Sequence, residues 1–269
     1  MTTTPTRPWP PEDTVDPARA PYAGPAPYPS PQSPRFRREH RWARVGGTAL
    51  VVLLAAGGAL AAVPDMVQER ATVQRALPAD LATLTIDSAA GDVRVEEATG
   101  TAAPGVVLET RWSFVEPDEE ILVGDGAATL SLDCPGGTAT NCWGDWVVTV
   151  PAGTLVDVRS SFGDVALSGV TGEAVVRSAF GDVRVDGAPR RVEVHGSVGD
   201  VDLALEEPPD SVDVRTSLGD VRVVLPRGTA YAVDVTTETG SPSVLVETDP
   251  ASPHSVDVVT GLGSLTIEH

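Results

Sequence analysis

The sequence predicts an all-β protein, a single-stranded β-helix or β-solenoid of roughly seven to eight coils, preceded by one transmembrane helix and a disordered N-terminal tail. Three observations carry the prediction. A Gly-Asp phrase recurs at near-regular spacing, each recurrence is flanked by two short runs of period-two apolar residues, and a 19-residue uncharged segment, Val45 to Val63, precedes them all.

The repeat comes first because it decides the fold. Gly-Asp stands at Gly91-Asp92, Gly144-Asp145, Gly163-Asp164, Gly181-Asp182, Gly199-Asp200 and Gly219-Asp220, and continues as Gly-Ser at Gly240 and Gly263; the last seven copies lie 18 to 23 residues apart. Upstream of each Gly lies an apolar pair such as Val156 with Val158, Val192 with Val194 or Val212 with Val214. Two positions after it a second pair begins, as in Val165 with Leu167 or Val221 with Val223. Alternation at period two marks strands, so each unit offers two strands and a corner. One such unit cannot bury an apolar face alone. Stacked copies share one aliphatic interior and pair their backbones at ~4.8 Å per coil. A β-sandwich would not require matching columns at a fixed period, and propeller blades need about twice the repeat length.

In most copies the residue before the Gly is Trp143, Phe162, Phe180, Val198, Leu218 or Leu262, which reads as one internal stack. The Gly itself suits a corner with positive φ, where a Cβ is costly. The adjoining Asp, or Ser241 and Ser264 in the late copies, can accept backbone N–H bonds across the turn. Carboxylates repeating one coil apart also raise calcium, but one per coil is a poor cage for an ion that takes 6 to 8 oxygens.

Cys134 and Cys142 are the only cysteines. Leu130 and Leu132 align with the upstream pair and Trp143-Gly144-Asp145 with the corner, so Pro135 to Asn141 is an excursion that a Cys134–Cys142 disulfide would close at its base.

Before the repeats the chain divides further. Residues 1–44 read as a disordered Pro-rich cytoplasmic tail with an Arg-rich juxtamembrane end, because 11 of the 24 prolines precede residue 35 in a stretch with almost no aliphatic residues. Such a tail could dock a cytoplasmic partner. Residues 45–63 suit a helix crossing ~30 Å of hydrocarbon. Arg35, Arg37, Arg38, Arg41 and Arg44 just before it place the N-terminus in the cytoplasm and the C-terminal domain outside a cell membrane spanned once. A cleaved signal peptide, with Ala59-Leu60-Ala61 as its site, is the competing reading, opposed by the 44-residue leader. Residues 64–80 form a linker whose Met66, Val67, Val73 and Leu77 make a weak helical pattern, and 81–269 form the extracytoplasmic solenoid. Within it, Gly105 to Gly126 breaks the repeat and reads as an irregular coil or an edge cover.

Charge and residue inventory narrow the function. The first 64 residues hold 7 Arg against 4 acids, the rest 12 Arg against 34 acids, which excludes a nucleic-acid surface. His40, His195, His254 and His269 form no metal spacing and stand near no nucleophile motif, so neither a cofactor nor a catalytic set is expected. A glycosidase carboxylate pair is the one enzymatic alternative, and acids spread over every coil single out no site.

Units such as Ser178-Ala179-Phe180-Gly181-Asp182-Val183-Arg184-Val185 and Thr216-Ser217-Leu218-Gly219-Asp220-Val221-Arg222-Val223 give the segment from about Leu81 to His269 its family likeness. It resembles the bacterial adhesin-like β-helix domains, envelope domains of uncharacterised function. The resemblance implies an envelope or surface role, and the Cys134 to Cys142 excursion departs from the plain repeat. The expectation is a membrane-anchored, non-catalytic binding or scaffold protein that meets an envelope or surface ligand; a transmembrane envelope-stress sensing or signalling component is the alternative.

Overall fold

The computed structural model describes residues 68–135 and 141–269. The tail, the expected 45–63 helix and the first residues of the linker lie outside the described residues. Among the described residues no helix is long and apolar enough to cross a membrane.

The elements are all strands: β1 (Gln68–Ala76), β2 (Thr83–Ser88), β3 (Val93–Glu97), β4 (Gly105–Ser113), β5 (Asp118–Gly124), β6 (Ala127–Asp133), β7 (Trp143–Val150), β8 (Leu155–Phe162), β9 (Val165–Val170), β10 (Glu173–Phe180), β11 (Val183–Gly187), β12 (Arg191–Val198), β13 (Val201–Leu205), β14 (Ser211–Leu218), β15 (Val221–Val224), β16 (Ala232–Thr239), β17 (Pro242–Val244), β18 (Ser255–Leu262) and β19 (Leu265–Glu268). They form two sheets rich in parallel pairs, as a β-solenoid requires. One runs β16-β18-β14-β12-β10-β8-β2-β6-β5 and the other β1-β4-β7-β3-β9-β11-β13-β15-β19-β17. Each coil contributes its first strand to the former and its second to the latter, giving eight coils.

The register confirms column-on-column stacking. Val176 pairs with Val158 on one side and Val194 on the other, Val194 pairs with Val214, and Val214 with Val258. On the second sheet Val185 stands between Leu167 and Leu203. All these side chains are buried, so the inward β-branched residues of the two sheets meet in one continuous aliphatic interior.

Four features depart from the sequence reading. The coils do not stack in chain order. β2 lies between β8 and β6, so the first coil sits inside the second; β18 lies between β14 and β16, so the last coil sits inside the one before it. Secondly, the linker pattern is not helical: β1 covers Gln68–Ala76 and pairs antiparallel with β4. β4 in turn pairs antiparallel with β7, and β5 with β6. These antiparallel strands occupy the backbone groups that an open coil would otherwise present to other chains, so the edge outweighs the weak helical periodicity. Thirdly, the strand partners of Leu84 and Ile86 in β6 are Ala128 and Leu130, so the repeat in that coil aligns two positions earlier than Leu130 and Leu132 suggest. Cys134 and Cys142 are joined by a disulfide with Cα atoms 5.7 Å apart, and it closes the excursion between β6 and β7.

The fourth departure concerns what faces inward at the corner. In five coils the third inward position of the upstream strand is hydroxylic: Ser88, Ser160, Ser178, Thr216 and Thr260 are buried and have no hydrogen-bond partner among the described residues. A buried hydroxyl without a partner costs stability that an isosteric methyl does not. Thr216→Val is therefore expected to raise stability by about 1 kcal/mol, read as a higher denaturation midpoint in urea.

Candidate functional site

Of the internal stack expected from Trp143, Phe162, Phe180, Val198, Leu218 and Leu262, the last five form a stack, but on the outside, while Trp143 stands in β7 opposite Arg111. Phe180 pairs with Phe162 and with Val198, Val198 with Leu218, and Leu218 with Leu262. Phe162 is 53% exposed, Phe180 48% and Leu262 51%. The reason is the corner. Inward alternation ends at Ser160 and its equivalents, and both residues between it and the Gly turn outward. The rings of Phe162 and Phe180 stack with centroids 5.1 Å apart and planes 4° from parallel. The result is an apolar ridge along the length of the solenoid.

The glycines behind the ridge make its regularity possible. Gly91, Gly163, Gly181, Gly199, Gly219, Gly240 and Gly263 all have positive φ, and a Cβ on most of them would strike the corner backbone of the neighbouring coil. Gly144 departs from this pattern. It lies within β7, which runs straight through from Trp143 to Val150, so its coil makes no turn at that Gly.

The carboxylates act between coils rather than across their own turns. Asp145 Oδ1 accepts the backbone N–H of Asp92 at 3.0 Å, Asp92 accepts that of Asp164 at 3.1 Å, Asp164 that of Asp182 at 2.9 Å, and Asp182 that of Asp200 at 2.9 Å. Asp200 and Asp220 extend the ladder to Asp220 and Ser264 at 2.8 and 2.7 Å. Seven of the eight coils are thus stitched in series by charge-assisted bonds, which are stronger than neutral ones. Among the described residues no group of three or more His, Cys, Asp or Glu side chains is placed to hold a metal ion. Calcium titration is expected to leave the melting temperature unchanged, since these carboxylates already have donors and stand one per coil. His195 lies in the column of Arg177 and Arg215 on the outer face, where Arg177 bridges Asp157 and Glu193 at 3.3 and 3.0 Å. Exposed pairs of this kind add little stability.

The ridge has one gap. The residue before Gly91 is Ala90, and its coil lies between those of Trp143 and Phe162: Gly144 N–H donates to the Ala90 carbonyl at 2.9 Å and Gly91 N–H to that of Phe162 at 2.8 Å. A cavity of about 670 Å³ opens there, lined by Ala89, Ala90, Trp143, Phe162 and the Cys134–Cys142 disulfide, with Gln68, Arg111, Asn141 and Ser161 also at its walls. Asp145 fixes two of these groups, accepting from Trp143 Nε1 at 2.8 Å and from Arg111 at 3.3 Å. Sequence reasoning missed the cavity. Its signal is Ala90, the smallest residue of the column and the one small residue between large ones.

A search of curated proteins finds no match to the chain. Among solved structures the chain is similar to a candidate cell adhesion protein from Clostridium sporogenes at 14% identity, covering 74% of this chain and 99% of the other with a TM-score of 0.45. It is also similar to a candidate adhesin from Bacteroides fragilis, at 15% identity over 74% and 96% of the two chains with a TM-score of 0.40. The family model described as Toastrack DUF4097 matches residues 72–264, most of the chain, and the protein therefore belongs to the Toastrack DUF4097 family.

Proposed function

We propose that this is a non-catalytic binding or scaffold protein of the bacterial envelope, anchored by the 45–63 segment with its N-terminus in the cytoplasm and its solenoid outside, and that the apolar ridge is its contact surface. The ridge is the observation that carries the reading. Phe162, Phe180, Val198, Leu218 and Leu262 are exposed, adjacent and held in register by the parallel ladder of one sheet. A contiguous exposed apolar surface is a recurrent mark of an interaction site. Rigid stacking means that it is presented without further ordering cost. The carboxylates beside it are engaged with backbone N–H groups, which favours surface over chemistry.

The test combines topology and surface. In intact cells, external protease should remove an epitope placed after His269 and spare one placed before Met1. The triple substitution Phe162→Ser, Phe180→Ser and Leu218→Ser should fold, because the side chains are exposed, and should reproduce the envelope or adhesion phenotype of deleting residues 68–269. A triple variant indistinguishable from the parent, in cells where the deletion has a phenotype, would sink the ridge as the contact surface.

A further inference from the structure

We infer that the cavity at the Ala90 gap takes an acyl chain of a membrane phospholipid, with Arg111 beside the headgroup phosphate. This rests on the anchored reading above and names the ligand of one end of the same ridge.

The slot opens where one large side chain is missing from the ridge, and it has the chemistry of a lipid tail. Trp143 and Phe162 stand two coil rises apart, about 9.6 Å, with only Ala90 between them. One face of the Phe162 ring is covered by Phe180, so the other is free to line the gap. Volume falls within the ~300–1,000 Å³ range of ligand sites. Alanines, aromatic rings and the disulfide give the interior its apolar character. Polar groups are few, and one of them, Arg111, keeps 41% of its side chain exposed while paired with Asp145. A glycan would need donors and acceptors throughout, whereas a hydrocarbon chain needs none.

The tether to the proposed span is short enough for the slot to reach the membrane. Gln68, the first residue of β1, is itself a lining residue. Four residues separate it from Val63, the last residue of the proposed span, a reach of about 17 Å at full extension. Trp and Arg are the side chains that occupy the headgroup region, the first by its amphipathic ring and the second by its long stem. The Asp ladder along the rest of the corner disfavours laying the whole ridge on an anionic bilayer, so contact is confined to this end.

The experiment uses the full-length chain in vesicles of phosphatidylcholine and phosphatidylglycerol, with a photoreactive benzophenone side chain installed at Ser161 in one sample and at Ser217 in another. Flotation reports anchoring, and the mass of the photoadduct reports the occupant. The expected result is a phospholipid adduct at Ser161 and little at Ser217. Ala90→Phe, which places in the gap the ring already carried at 162 and 180, should reduce the Ser161 adduct about tenfold. Ala90→Val, the side chain found at 198, serves if the Phe variant fails to fold. A chain that does not float overturns the anchored reading and this inference with it. A chain that floats but gives no lipid adduct at Ser161, equal adducts at both positions, or an adduct unchanged by Ala90→Phe overturns the slot alone. Chain-to-chain adducts at Ser161 would assign it to a second copy, and displacement of the lipid adduct by soluble wall glycan would assign it to sugar.

Discussion

Gly181→Val should destabilise the solenoid by about 3 kcal/mol or more, because it combines two penalties at one atom. Gly181 has φ of 136°, a conformation that L side chains rarely adopt. A Cβ there would overlap the Gly163 carbonyl oxygen of the adjacent coil and lie 2.6 Å from its carbon. The corner cannot yield without lengthening the bond from Gly181 N–H to the Val198 carbonyl, now 3.1 Å, and the Asp182 N–H bond to Asp164, now 2.9 Å. Gly100→Ala separates the two penalties. Gly100 has φ of 62° but open space around its Cβ position, so only the backbone cost of about 1–2 kcal/mol applies. Thermal and urea unfolding of the two variants should differ clearly. Equal losses would mean that coil-to-coil contact is not what demands Gly at the corner.

The same contrast explains what could be read from the chain alone. The Gly-Asp phrase and the Val-x-Val pairs announce stacked coils because backbone clash and strand alternation each constrain residue type directly, and Val158, Val176, Val194 and Val214 do stand in one ladder. The cysteine pair was legible for a similar reason, since it flanks the one interruption of the pattern. Coil order was not. Every coil presents the same columns, so the β2 strand matches β8 and β6 equally well, and nothing in a shared pattern says which copy should be its neighbour. Likewise β18 matches both β14 and β16.

Side-chain direction at the corner was misread because hydropathy and geometry disagree there. Hydropathy places Phe162 inside and Ser160 outside, yet Ser160 is buried and Phe162 exposed. Leu132, at the same position as Ser88 by register, is accommodated only opposite a residue without a Cβ: one built on Gly144 would overlap the Leu132 side chain. In the other coils the position is held to Ser, Thr or, at 196, Gly, and the large apolar residue stands on the surface. A ridge that hydropathy would hide thus becomes the candidate contact face.

At the capped end the opposite holds, and one large side chain fills the interior. Trp146 is fully buried in β7, in register with Val93 of β3 and with Leu108 of β4. It therefore joins the edge coil to both its parallel neighbour and its antiparallel cover. Trp146→Ala should cost about 3–5 kcal/mol, the range for truncating a buried Trp that its surroundings cannot collapse around. Collapse is hindered here because the strands on either side are fixed by their ladders. Trp146→Phe should recover most of the loss, since the indole N–H has no partner among the described residues and removing it sacrifices no hydrogen bond. Because a repeat array can lose an end unit before its centre, the Ala variant should also show early hydrogen exchange in β1, β4 and β7 while β10 to β14 stay protected. Uniform loss of protection along all coils would show that the cap and the array unfold as a single unit.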